Sequence, residues 1–300
     1  MLEIVFLGTG SGIPSTLRKP SAIWLHYDTD SMLWDCGEGT QMQLMKARCS
    51  FMKIDRIFIT HWHADHWAGL IGLMQTMSLE GRKRPLYIYG PDAERFIGDI
   101  LDLDYWGPSY KIVPKNVPYE GSEITKVFSA GKYDILSIPS KHSVPSVAYC
   151  FKEHETRNVD LKKKGKKYGL KQSPLIGMLK KEGKVVFKGK TIRLEDVSDV
   201  KQGLKAVYSG DTMPCKNLEK LSEGADILIH DSTFGEEASN KMHSDAGDAG
   251  RMAKKAGVKK LILTHFSRRY TSVDEILKEA RKEFRNTEAA KDMMRITLKR

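Results

Sequence analysis

The sequence predicts an α/β layered fold, and three observations carry that prediction. Short β-rich runs recur along the chain, each ending in a polar residue. Helical stretches lie between them, as in a layered domain whose site runs along one sheet edge. Hydrophobic residues make up 40% and charged residues 29% of 300, the balance of a chain that folds around a core. No apolar run approaches the ~20 residues of a membrane span.

Leu2–Leu7, Ser21–Tyr27 and Ser31–Asp35 read as strands, the last leading into a helix near Glu38–Arg48. The first apolar stretch has no basic segment before it, so it reads as a strand and not as a secretory signal. Ile54–Thr60 is a buried strand, followed by a loop and an apolar helix over Trp67–Met77. Leu86–Tyr89 is a strand, and Pro91 marks a helix start. Strands follow at Tyr133–Pro139 and Ser146–Phe151. The pattern resumes with strands Leu204–Ser209 and Ala225–His230 and a helix near Ser244–Ala256, with Ser244 available as its cap. Strand Lys259–Thr264, helix Val273–Phe284 and strand Arg295–Leu298 complete the order. One domain spans 1–300, with an inserted flexible arm over 153–203.

Charge singles out that insertion. The formal net charge is +11, yet residues 161–193 hold twelve Lys or Arg and one acid, Glu182. The remainder balances at 37 of each sign. Such a block repels itself unless a polyanion meets it, and nucleic acid is the first candidate; a solvated lysine-rich surface is the plainer reading. The four cysteines (Cys36, Cys49, Cys150, Cys215) are far apart with no CxxC pair. That excludes a disulfide scaffold and a Cys₄ zinc site, and fits the cytoplasm.

The chemistry centres on His61-Trp62-His63-Ala64-Asp65-His66, directly after a strand. Imidazole nitrogen and carboxylate oxygen are the donors zinc takes when it keeps a position open for water. Alternation lets His61 and His63 share one ion, with Asp65 and His66 turned toward a second. One loop cannot complete two shells. His142, Asp211 and His265 each follow an apolar run by one to three residues, where a side chain reaches the sheet edge. His243, before a helix, is placed to protonate a leaving group. His26 and His154 read as ordinary surface or sheet residues, and His230 as a residue behind the ligands. Gly8–Gly12 reads G-x-G-x-G with no helix start behind it, which argues against a nucleotide cofactor but leaves a loop whose N–H groups can meet an anion.

These motifs resemble the metallo-β-lactamase superfamily through the HxHxDH loop, and within it the ribonuclease Z family of tRNA 3′-processing endonucleases. The narrower resemblance rests on FLGTGSGIPS (Phe6–Ser15), DCGEGTQ (Asp35–Gln41), PSKHSVPS (Pro139–Ser146), YSGDT (Tyr208–Thr212) and LTHFSRRY (Leu263–Tyr270). It implies an αββα sandwich with two zinc ions per subunit. His61, His63 and His142 would hold one, Asp65, His66 and His265 the other, with Asp211 bridging. It implies a bridging hydroxide that attacks one phosphodiester of precursor tRNA. Asp65 would accept the proton and His243 would donate one to the leaving oxygen, giving a 3′-hydroxyl on the tRNA and a 5′-phosphate on the trailer. It also implies a homodimer whose protruding basic arm clamps the tRNA body, with no membrane partner. The chain departs from the family at Ser173-Pro174 (Gly-Pro), at His243-Ser244-Asp245 (His-Ser-Thr) and at Asp231 (a glutamate). Two rivals remain on the residues alone. A small-molecule hydrolase of this fold leaves the charge block without a partner; a non-catalytic RNA-binding protein leaves seven ligand positions without a use.

Overall fold

The computed structural model describes residues 1–103, 107–162, 165–170, 172–235 and 242–300; Lys163, Lys164 and Lys171 of the basic run lie outside them, as does Lys241. Along the chain run strands β1 (Leu2–Gly8), β2 (Ala22–Tyr27) and β3 (Asp30–Trp34), then helix α1 (Thr40–Lys46) and β4 (Ile54–Phe58). Helices α2 (Ala64–Trp67) and α3 (Leu70–Leu79) precede β5 (Leu86–Gly90), α4 (Ala93–Leu101) and β6 (Ile112–Asn116). Strands β7 (Thr125–Ser129), β8 (Tyr133–Pro139) and β9 (Val147–Glu153) lead to residues 153–203.

Those residues, Glu153–Gly203, are a unit of their own. They hold β10 (Thr156–Val159), α5 (Pro174–Glu182), β11 (Lys184–Phe187), β12 (Lys190–Arg193), α6 (Leu194–Val197) and β13 (Ser198–Lys201). Strands β10 and β13 pair antiparallel, and β11 and β12 form a hairpin. Its two turn residues, Lys188 and Gly189, have φ of 51° and 74°, the left-handed pair that a two-residue hairpin needs. Leu170, Leu179, Val185, Ile192 and Val197 are buried together as a small core, and the described lysines of the unit are exposed.

The other unit resumes at β14 (Lys205–Tyr208), followed by α7 (Lys216–Ser222), β15 (Ile227–Asp231), α8 (Ala246–Lys255), β16 (Leu261–Thr264), α9 (Asp274–Glu283), β17 (Thr287–Ala289) and β18 (Arg295–Leu298). It contains two seven-stranded sheets, ordered β18-β1-β2-β3-β4-β5-β6 and β17-β16-β15-β14-β9-β8-β7. Side chains alternate: Leu2, Ile4 and Phe6 of β1 enter a core shared with Tyr133, Tyr149 and Ile229 of the other sheet. Val5 and Leu7 face away, against α1 and α3. The second sheet packs its outer face on α7, α8 and α9 through Leu218, Ala249 and Ile276. This is the αββα sandwich. Among the described residues no helix is long and apolar enough to cross a membrane.

Three local readings change. The single helix expected over Trp67–Met77 is two pieces, α2 and α3, separated around Gly69. A Cβ on Gly69 would lie 2.2 Å from the Gly37 carbonyl oxygen, so this close approach demands glycine and interrupts the helix. Pro91 precedes the helix instead of opening it, with Asp92 at the cap of α4. The cap of α8 is Asp245, in a reciprocal capping box with Asp248, while the Ser244 hydroxyl donates to the Thr212 carbonyl at 2.7 Å. The sequence reading also passed over β6, β7 and β17. All three are edge strands, and β6 contains Pro114, which only an edge tolerates.

Candidate metal centre

Strand ends deliver the site. Asp35 follows β3, His61 follows β4, His142 follows β8, and Asp211, Ser232 and His265 follow β14, β15 and β16. Strands β3 and β4 run parallel, as do β14, β15 and β16, so their carboxyl ends lie on one edge, where open α/β sheets place ligands. Two of these residues turn the chain sharply. Asp35 and His265 have φ of 57° and 62°, left-handed conformations that cost about 1–3 kcal/mol each and persist where the surroundings hold them.

The expected ligands form two groups. In the first, His63 Nδ1 lies 3.0 Å from His61 Nε2 and 3.2 Å from His142 Nε2. In the second, His66 Nε2 and His265 Nε2 are 3.2 Å apart, and Asp65 Oδ2 is 3.5 and 3.2 Å from them. Asp211 joins the groups through different oxygens. Its Oδ2 is 3.7 Å from His61 Nε2 and 4.0 Å from His142 Nε2, whereas its Oδ1 is 3.2 Å from both His66 Nε2 and His265 Nε2. Within each group the donor atoms lie within 4.8 Å of one another.

This donor set fits metal ions on the site's own evidence. Imidazole nitrogens converge at 3.0–3.2 Å, a distance at which a shared cation is the natural partner. Asp211 Oδ1 is buried without a well-formed hydrogen bond and faces the His66 and His265 nitrogens at 3.2 Å, a place that a cation between the three would satisfy. Four of the five histidines are fixed from behind. His66 Nδ1 meets Asp35 Oδ2 at 2.7 Å, and His61 Nδ1 meets Thr60 Oγ1 at 3.1 Å. His265 Nδ1 meets Thr233 Oγ1 at 2.8 Å, and His142 Nδ1 meets the Met242 carbonyl at 2.8 Å. Such partners set the tautomer and aim the other nitrogen inward.

A third cluster, Asp211, Asp231, His243 and His265, reads differently. Asp231 already accepts from the Thr233 amide and hydroxyl and from the Thr212 amide, so its oxygens are committed. His243 Nδ1 sits 3.0 Å from Asp231 Oδ2, so the two form a hydrogen-bonded pair rather than a third ion site. Burial alone would lower the His243 imidazole, but the hydrogen bond and charge of Asp231 outweigh it and raise its pKa.

The two ligand groups differ electrostatically. Burial lowers His61, His63 and His142, which stay neutral and ready to bind. Burial would also lower His265, but Asp211, Asp231 and Asp65 overcome it and push it up to about 10. His66 is raised well above its ordinary value against the same burial, by Asp211, Asp35 and Asp65. Asp211 itself, despite burial, is held well below the usual carboxylate range by His265 and His66.

Sequence reasoning named the converging residues but gave no role to Asp35, Thr60, Tyr208 or Thr233. Asp35 is fully buried and accepts from the Thr60 amide at 2.8 Å, the Thr60 hydroxyl at 3.0 Å and the Tyr208 hydroxyl at 2.8 Å, besides His66. The signal was present in DCGEGTQ, a charged residue directly after the buried apolar run Met32–Trp34. The glycine loop meets an anion from within the chain: the Gly12 amide donates to Asp65 Oδ2 at 2.6 Å. His230 is buried on β15 and bonds the Asp231 carbonyl through Nδ1, away from the ligands.

Comparison with known proteins gives a consistent result. A family model for the anti-Pycsar protein Apyc1 matches residues 2–97, and a β-lactamase superfamily domain model matches residues 193–266. Ribonuclease Z of Methanosarcina acetivorans is 40% identical over 307 residues, spanning 99% of this chain and 98% of that protein. Ribonuclease Z of Thermococcus onnurineus is 42% identical over 285 residues, 94% of this chain and 89% of that one. Among solved structures, the short form of human tRNase Z is 28% identical with a TM-score of 0.72, covering 98% of each chain.

Proposed function

The chain belongs to the ribonuclease Z family, and from that premise we propose that it removes the 3′ trailer from precursor tRNA by hydrolysing one phosphodiester. The observation that carries this reading is Asp211, whose two oxygens are directed one to each histidine group. Two zinc ions per subunit are the occupants we propose, with His61, His63 and His142 holding one, Asp65, His66 and His265 the other, and Asp211 both. Bound there, they would supply a nucleophile at neutral pH and positive charge against the phosphate.

The protein's residues do the rest. Asp65, steadied by the Gly12 amide, lines the open cavity and is the proposed proton acceptor. His243 lines the same cavity, of about 330 Å³. With Nδ1 engaged by Asp231, its Nε2 is the nitrogen that hands a proton to the leaving oxygen, and the raised pKa keeps that proton available. We assign the leaving oxygen to the tRNA, so the products carry a 3′-hydroxyl on the tRNA and a 5′-phosphate on the trailer. Asp231 replaces the family's glutamate and still reaches His243 at 3.0 Å, so the shorter acid keeps the pair. The basic unit at 153–203 is the proposed grip on the tRNA body, in a homodimer working in the cytoplasm. Four free cysteines accord with that compartment.

The test is direct: purified protein, a 3′-extended tRNA transcript, chelation followed by zinc return, and mapping of both product ends. Zinc-dependent cleavage with a 3′-hydroxyl tRNA is expected. Cleavage that survives complete chelation, or a 3′-phosphate on the tRNA, would overturn the assignment.

A further inference from the structure

We propose that a second cavity, beside the first histidine group, binds the nucleobase of the first trailer nucleotide; this rests on the functional reading above. The cavity, of about 180 Å³, is lined by Trp62, Pro91, Asp92, Arg95, Phe96, Val144 and Pro145. That is room for one heterocycle, below the roughly 300–1,000 Å³ of pockets for whole drug-sized ligands. Trp62 stands between His61 and His63, and Val144 and Pro145 follow His142 by two and three residues, so both ligand loops of the first group wall it.

Its lining suits a base. The rings of Trp62 and Phe96 are stacked, with centroids 4.6 Å apart and planes 14° from parallel. The indole is pinned at its edge, because Nε1 donates to the Pro91 carbonyl. The Trp62 carbonyl in turn accepts from Trp67 Nε1 at 3.0 Å. The Arg95 guanidinium lies 5.3 Å from the Phe96 centroid, adding a cation to the aromatic platform. Asp92 and Arg95 offer an acceptor and a donor to the polar edge of a base.

Position decides which base. The larger cavity holds His243 with Phe234, Arg268 and Arg269, so the nucleotide that owns the leaving 3′ oxygen belongs there. The next nucleotide hangs from the phosphate by its 5′ oxygen, which is not in line with the breaking bond, and must depart sideways. The two cavities share no lining residue. The larger reaches ligands of both groups, His63 as well as Asp65, Asp211 and His265, whereas the smaller lies behind the first group, walled by the neighbours of His61, His63 and His142 in the chain.

The experiment is a cycle of protein and RNA changes, reading kcat/KM on 3′-extended tRNA. The transcript is intact, abasic at the first trailer nucleotide, or abasic at the last tRNA nucleotide. Phe96→Ala should lose about tenfold on the intact transcript, the scale of one stacked base. Wild type should lose a similar factor on the trailer-abasic transcript, and the variant on that transcript should lose no more than either alone. Losses should multiply with the tRNA-side abasic transcript. Phe96→Tyr should restore the intact rate. Should Phe96→Ala fail to fold or to bind zinc, Arg95→Ala, on an exposed side chain, gives the same cycle with a smaller factor. Multiplying losses at the trailer position, or coupling only to the tRNA-side base, would overturn the proposal while leaving the nuclease reading intact. A wild-type protein that leaves the intact transcript uncut would take both down.

Discussion

The metal centre and the basic unit at 153–203 are built on opposite principles. In the centre, nearly every polar atom is buried and committed. Asp35 alone holds Thr60, Tyr208 and His66, and Thr233 holds His265 and contacts His243 at 3.2 Å. In the basic unit, a cluster of five buried apolar side chains carries the fold and the described lysines stand in solvent. The first arrangement fixes geometry, which chemistry needs; the second offers dispersed charge, which a polyanion needs. The contrast teaches that changes at the centre should act on turnover, and changes in the basic unit on binding.

The sharpest break of that division is Asp211→Ala. It removes the one carboxylate that faces both histidine groups, so cleavage should fall below detection and zinc content should drop. Circular dichroism should stay near wild type, since the core between the sheets does not rest on the ions. Retained activity would refute the two-ion assignment.

His243→Ala and Asp65→Ala come next, each expected to lower kcat by about 10²–10⁴ with pre-tRNA binding kept. The pH profile sharpens this. An acid must hold its proton, so kcat/KM should fall as pH rises through the raised pKa of His243. Asp231→Asn removes the group that raises it, and the alkaline limb should move to lower pH. An unmoved limb would separate His243 from the proton transfer.

The two halves of the centre can themselves be compared by metal removal. In the metal-free protein burial disfavours a proton on the first group, whereas the carboxylates around His66 and His265 favour one on the second. Zinc entering the first group should therefore release few protons. Zinc entering the second should displace them, and its affinity should weaken by about tenfold per pH unit for each proton displaced as pH falls. Calorimetry in two buffers of different ionisation enthalpy reads the difference. Equal proton release for both equivalents would contradict it.

How much of this was legible in the sequence follows the same line. His61 through His66, His142, Asp211 and His265 could be read because donor residues that close apolar strands are conspicuous. Asp35, Thr60 and Thr233 were not read, because a hydroxyl or carboxylate behind a ligand differs from any capping residue only once partners 25 or more positions away are in place. The strands passed over were all sheet edges, where burial on one side weakens the apolar pattern. In the basic unit the lysines masked the period of Leu179, Val185 and Ile192, so its charge was plain and its small core was not.

The smallest expected effect belongs to the basic unit. Replacing Lys180, Lys181, Lys184, Lys188 and Lys190 by Gln keeps the buried five residues of its core and removes only surface charge. If these lysines meet tRNA phosphates, each contact displaces condensed counterions, and affinity falls with salt by roughly 0.7–0.9 in logarithmic slope per contact. The variant should therefore raise KM for pre-tRNA several-fold at low salt and leave kcat unchanged. Its disadvantage should shrink as salt rises, because the wild type loses the same contacts to competition. Hydrolysis of bis-p-nitrophenyl phosphate, too small to engage the unit, should not change at any salt. Identical salt slopes for the two proteins would make the charge a solvated surface. A fall in kcat on the small substrate would show that the two regions are coupled, and the division drawn between them would not stand.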